Sequence, residues 1–179
     1  MNELVRKAKN GDKDAFVLLM EKNKLSMYKV ALGILKNDSD AADAIQDTVL
    51  SCYENLKNLR NAKLFKTWMI KIMINNCRKI YNQRKSYISL DELKEFSDQE
   101  HNADIFSTTE NLDFLQLLHQ LEDKYRISLL LYYVEEFSIR EISIILDLNE
   151  NTVKTRLTRG RGLFKKLYIK QRTSFECHA

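Results

Sequence analysis

Apolar side chains recur along this chain at three- and four-residue intervals, in one segment after another, which is the helical period. From Glu3 to Leu35 the pattern predicts a short helix and a longer one, with Ala15, Phe16, Leu19, Met27, Val30, Ala31 and Ile34 inside. Gly11-Asp12 separates them, and Asp12 can cap the second. The next helix opens on Asn37-Asp38-Ser39-Asp40, acidic where the helix dipole favours it, and its predicted inner stripe is Ala41, Ile45, Val49, Cys52 and Leu56. After a turn from Asn58 to Leu64, another helix turns Phe65, Met69, Ile72, Met73 and Ile80 inward. Periodicity breaks down from Ser86 to Asp113. A new helix begins near Thr109 or Glu110 with Leu112, Leu115, Leu118 and Leu121, and a further one carries Ile127, Leu130, Leu131 and Val134.

The stretch from Phe137 to Gly160 is the most legible. Ser138 and Glu141 form a capping box, and Ile142, Ile145 and Leu146 give the helix behind it an apolar stripe. Asp147 falls where a positive φ is wanted, which Asp tolerates better than most residues. Asn149 is then an N-cap for a helix with Val153, Leu157 and Phe164 inside. Its outward positions are Asn151, Thr155 and Thr158, flanked by Lys154 and Arg159, while Arg156 lies nearer the buried edge and would snorkel towards a phosphate. Such side chains read base edges and hold phosphates. A solvated hairpin with a basic face is the other use of this pattern; two clean caps around a three-residue turn favour helix-turn-helix.

Composition narrows the fold class. The 179 residues include no proline and four glycines, which favours long helices over strands. We therefore expect an all-α protein of two small helical domains, at 1–85 and 110–179, joined by an acidic, flexible linker at 86–109. The formal charge of +4 matters less than its distribution. No apolar run approaches membrane-spanning length and no signal pattern opens the chain. Cys52, Cys77 and Cys177 are widely spaced and outside any CxxC, as expected of reduced, mostly buried thiols in a cytoplasmic protein.

Two faces of the N-terminal half have opposite sign. Asp43, Asp47, Leu50 and Glu54 make an acidic stripe interrupted by a leucine, either simply solvated or suited to docking on a basic protein surface. Between Arg60 and Lys85 stand eight cations and no acid, which calls for an anionic partner. Lys71, Asn75, Arg78 and Asn82 line the outer face there, and Trp68 sits at its border, either packed in the core or stacking on a base of a single strand. The linker acids, from Asp91 to Asp113, oppose a single Lys94 and form a passive tether or a nucleic-acid mimic.

These motifs together resemble a sigma factor of bacterial RNA polymerase, of the extracytoplasmic-function (ECF) class. Gly11-Asp12-Lys-Asp-Ala15-Phe16 is similar to the family's opening, and Asp40-Ala-Ala-Asp43-Ala-Ile-Gln46-Asp47-Thr48 to its polymerase-binding motif. Thr67-Trp68-Met69, Ile72 and Asn75 resemble the helix that meets the −10 element. The stretches 129–142 and 152–159 resemble the −35 reader. The resemblance implies a promoter-specificity subunit that binds core polymerase through its β′ clamp and β subunits, recognises both elements and helps melt the duplex. It places Asp43, Gln46, Asp47, Leu50 and Glu54 on the polymerase; Arg60, Lys63, Trp68, Lys71, Asn75 and Arg78 on the −10 strand; and Asn151, Thr152, Lys154, Thr155, Arg156, Thr158 and Arg159 on the −35 duplex. It also implies an anti-sigma partner, commonly membrane-bound. No cofactor or metal is called for. The chain departs from the family at Lys79 and Asn82, where many relatives carry Asp and Arg, at Asp147 for a turn glycine, and at Val49 for an aromatic.

Two other classes compete. A stand-alone helix-turn-helix regulator would use Thr155 and Arg159 but neither the acidic stripe nor the strand-binding helix. A DNA-processing enzyme needs clustered carboxylates or a nucleophile with its base. His101, His119 and His178 are scattered, and the linker acids have no metal-ligand spacing.

Overall fold

The computed structural model describes residues 1–88 and 117–176, with side chains at 1–84 and 117–171, and contains no strand among them. The chain divides into two compact units, Met1–Glu100 and His101–Ala179. Their helices are α1 (Asn2–Lys9), α2 (Lys13–Leu35), α3 (Asp38–Asn55) and α4 (Phe65–Ile88), then α5 (Asp123–Leu129), α6 (Ile139–Leu146) and α7 (Glu150–Glu176). Most of the linker expected at 86–109, and the helix start near Thr109, lie outside the described residues.

In the first unit, Asp12 caps α2 by accepting from the Ala15 amide at 2.9 Å, after Gly11 has turned the chain at φ 95°. All seven apolar positions read from α2 are buried. The inner stripe of α3 is rotated from the expected one. It runs through Ala41, Ala44, Thr48 and Cys52, leaving Ile45 and Val49 half-buried. Ala44 is small, and Thr48 satisfies its hydroxyl inside, donating to the Ala44 carbonyl at 2.7 Å and accepting from Asn76 of α4 at 3.0 Å. A β-branched aliphatic on that seam would be bulkier than Ala44 without making that bond. The inner face of α4 likewise includes Ile70, Ile74 and Cys77, while Ile72 and Ile80 are half-buried. Burial pushes the Cys52 and Cys77 thiols up to about 12, which makes them poor nucleophiles.

In the second unit, every residue from Tyr125 to Leu131 is buried, so α5 is its central element. Arg126 is buried with them; its guanidinium donates to the Leu121 carbonyl at 3.0 Å and to Asp123 Oδ1 at 2.7 Å. The chain then widens into a π turn over Leu130–Val134, followed by Glu136 at φ 58°. The Ser138–Glu141 capping box opens α6, and Asp147 ends it in the left-handed region at φ 59°. Asn149 caps α7, its Oδ1 accepting from the Thr152 amide at 2.7 Å. Val153 and Leu157 are buried as expected; Phe164 is only half-buried. Gly160 is buried where α7 crosses α5: a Cβ there would lie 3.2 Å from Leu129 Cδ1 and 3.4 Å from Tyr125 Cβ.

Candidate functional site

Three surfaces carry the polar chemistry. On α3, Asp43, Gln46, Asp47 and Glu54 are exposed, and Leu50 keeps 57% of its surface open to solvent. Tyr53, beside Glu54, is 53% exposed and leans edge-on against Phe16 with ring centroids 5.2 Å apart. Leu50 and Tyr53 are thus two large exposed side chains standing among acids. The sequence reading passed over Tyr53, although it follows Gln46 by seven residues on the same face.

The second surface begins in the loop before α4. The Lys9 ammonium donates to the Leu59 carbonyl, tying α1 to this loop, and Leu59 is buried beneath it. Asn61 caps the short turn Ala62–Leu64, accepting from the Lys63 amide at 3.0 Å. Arg60 and Lys63 are thereby presented to solvent beside the start of α4. Along the helix Asn75 and Arg78 are exposed and Lys71 is half-buried. Trp68 is also half-buried, its ring 6.0 Å from that of Phe65, so it belongs to the rim and to the core together. The eight cations are not all uncompensated as expected. Arg84 pairs with Asp40 of α3 at 2.7 Å. Burial raises the Asp40 carboxyl above its ordinary range; Arg84 pulls the other way and Asp43 adds to the rise.

The third surface is the outer side of α7. Asn151, Lys154, Thr155, Thr158 and Arg159 are exposed, while Thr152 and Arg156 are half-buried, Arg156 lying at the edge expected of it. The Thr155 hydroxyl donates to the Asn151 carbonyl at 2.9 Å. A shallow groove of about 600 Å³ collects Asn149, Asn151, Thr152, Thr155, Arg156 and Arg159 with Lys124 and Tyr125 of α5. Lys154 and Thr158 stand outside it. The sequence reading missed Lys124 and Tyr125. Their only signal was a cation beside an aromatic in a helix lying one element before the helix-turn-helix. The described residues hold no group of three or more His, Cys, Asp or Glu poised for a metal.

Two family models match the chain: Sigma-70 region 2 over residues 19–87 and Sigma-70 region 4 over residues 111–163. Together they cover more than half of it. The RNA polymerase sigma factor SigV of Bacillus subtilis (strain 168) is 29% identical over 160 residues, 89% of this chain and 94% of that protein. The ECF RNA polymerase sigma factor SigW of the same organism is 28% identical over 174 residues, 90% of this chain and 93% of that one. The chain belongs to the ECF sigma factors. Region 2 takes in α3, α4 and most of α2, and region 4 takes in α5, α6 and the first half of α7. This sigma factor is therefore a promoter-specificity subunit of bacterial RNA polymerase, one of a family of transcription initiation factors. Solved structures share its fold. CnrH in complex with the cytosolic domain of CnrY superposes with a TM-score of 0.73 at 21% identity, covering 94% of this chain and 97% of that one. The sigma factor RpoE of Bartonella quintana, in complex with the anti-sigma factor NepR, gives 0.71 at 18%, covering 87% and 95%. No described helix is long and apolar enough to cross a membrane.

Proposed function

We propose that the three surfaces divide the work of promoter opening. The acidic stripe Asp43, Gln46, Asp47 and Glu54, with Leu50 among them, docks on the β′ clamp of core polymerase. Arg60, Lys63, Lys71, Asn75 and Arg78, with the rim of Trp68, hold the melted −10 strand, and a flipped base there costs a few kcal/mol that the basic rim must offset. Asn151, Thr152, Lys154, Thr155, Arg156, Thr158 and Arg159 read the −35 duplex from the major groove. The domains are those at 1–85 and 110–179, with the acidic segment between them passing towards the polymerase channels. The observation that carries this reading is the groove on α7, where amides, hydroxyls and guanidiniums converge on a capped helix.

An anti-sigma partner that covers the docking faces holds the factor inactive in the cytoplasm, and it is membrane-bound. The complex of the similar sigma factor RpoE with NepR supports the first part of this, and the resemblance to ECF factors the second. The test is reconstitution of the purified protein with bacterial core polymerase, followed by genome-wide run-off transcription. Start sites that require this protein, sharing a pair of upstream elements, are the expected result. Folded protein that neither joins core polymerase nor creates a start site would refute the proposal.

A further inference from the structure

The groove beside α7 has two walls, and the second has no part in the assignment above. Lys124 and Tyr125, in the first turn of α5, face Thr152, Thr155, Arg156 and Arg159 across it. Lys124 is held in place from two sides. Its ammonium lies 4.9 Å from the centroid of the Tyr125 ring and 2.6 Å from Glu122 Oε2. Tyr125 is in turn set by the helix crossing, where a Cβ at Gly160 would lie 3.2 Å from Leu129 Cδ1 and 3.4 Å from the Tyr125 Cβ. Lys124 with Arg156 and Arg159 gives the lining three cations, and none of the lining residues is acidic.

We infer that Lys124 is a phosphate ligand, contacting the backbone of the duplex strand that borders the groove while α7 reads base edges. The inference rests on the reading of α7 as the duplex-reading helix. A recognition helix in a major groove is flanked by backbone on both sides, and a cation on a neighbouring helix is where one backbone passes. Tyr125 is a positioning residue that keeps the ammonium over the groove. Glu122 is its competitor: the carboxylate occupies the ammonium that a phosphate would take, so DNA binding exchanges one anion for another. The hydrogen bond that the Lys124 ammonium donates to Glu122 raises it above its usual range.

The experiment compares holoenzymes carrying wild type, Lys124→Gln, Lys124→Arg, Glu122→Gln and Arg159→Ala on a promoter duplex identified by run-off, with affinity measured against salt. Losing one phosphate contact flattens the slope of log K against log salt by about 0.9, so a tenfold rise in salt should cost wild type about eightfold more affinity than Lys124→Gln. Lys124→Arg should restore the wild-type slope. Glu122→Gln should tighten binding by about 1.4- to 5-fold, the worth of a released surface ion pair. Circular dichroism should be the same for all five proteins, since Lys124 and Glu122 are exposed. An unchanged slope in Lys124→Gln, with Arg159→Ala weakened, overturns the inference and leaves the −35 reading standing. If neither substitution alters binding, the −35 reading falls and the inference with it.

Discussion

Two glycines of α7 offer a paired test of how tightly that helix is packed. Gly160 and Gly162 lie in the same helix, so replacing either by alanine gives the same propensity gain of about 0.8–1 kcal/mol. The surroundings differ. Nothing lies within 4 Å of a Cβ at Gly162, whereas one at Gly160 would meet Leu129 Cγ and Cδ1 at 3.2 Å. Leu129 is 2% exposed and Tyr125 8%, so neither has open space to move into. Overpacking of this kind costs about 1–3 kcal/mol. Gly162→Ala should therefore stabilise the second unit by about 1 kcal/mol, and Gly160→Ala should leave it between unchanged and about 2 kcal/mol less stable. The difference between the two variants isolates the packing contribution, because the propensity gain cancels. Thermal melts followed by circular dichroism would read it, at about 4–8 °C in Tm per kcal/mol for a unit of this size. Equal stabilisation by both substitutions would refute the close approach of α7 to α5.

Asp47→Lys should weaken core-polymerase binding about tenfold or more, equivalent to about 1.4 kcal/mol, with an unchanged melt; binding competition against wild type would measure it. Asp40→Asn tests the pair between buried Asp40 and half-exposed Arg84. A carboxyl whose folded pKa is raised contributes stability that is present below its unfolded pKa and lost as pH rises through the folded one. Denaturation across pH should thus show Asp40→Asn no less stable than wild type at neutral pH, with any advantage vanishing in acid, and a large loss at neutral pH would contradict this. Ser138→Ala removes a cap and should cost about 0.5–2 kcal/mol in urea unfolding, because the Glu141 amide loses its acceptor.

Element existence was legible because local chemistry dictates it. Asp12, Asn37, Ser138 and Asn149 each accept a bond from a backbone amide three residues on, and sequence alone can mark such caps. Azimuth was less legible. The stripe of α3 was placed on Ile45 and Val49 by hydrophobicity, but Thr48 took the buried position because Ala44 and Asn76 satisfy its hydroxyl. The partner that decides this is on another helix, 28 residues away. The compensation of Arg84 by Asp40 was hidden for the same reason, as was the convergence of Lys124 with Arg156 and Arg159. The π turn at Leu130–Val134 has no signature in the residues that form it.

The bond between Thr48 and Asn76 also acts as an index mark between two helices. Turning α3 by one residue against α4 would carry Thr48 off the seam and break the bond its hydroxyl accepts from Asn76, at about 0.5–1.5 kcal/mol. The angle between the acidic stripe and the basic face is thus an indexed quantity, clicked into one setting from inside. Residues on either face can be exchanged without disturbing that setting. A substitution at Thr48 removes that mark from inside while leaving every side chain of the two faces unchanged.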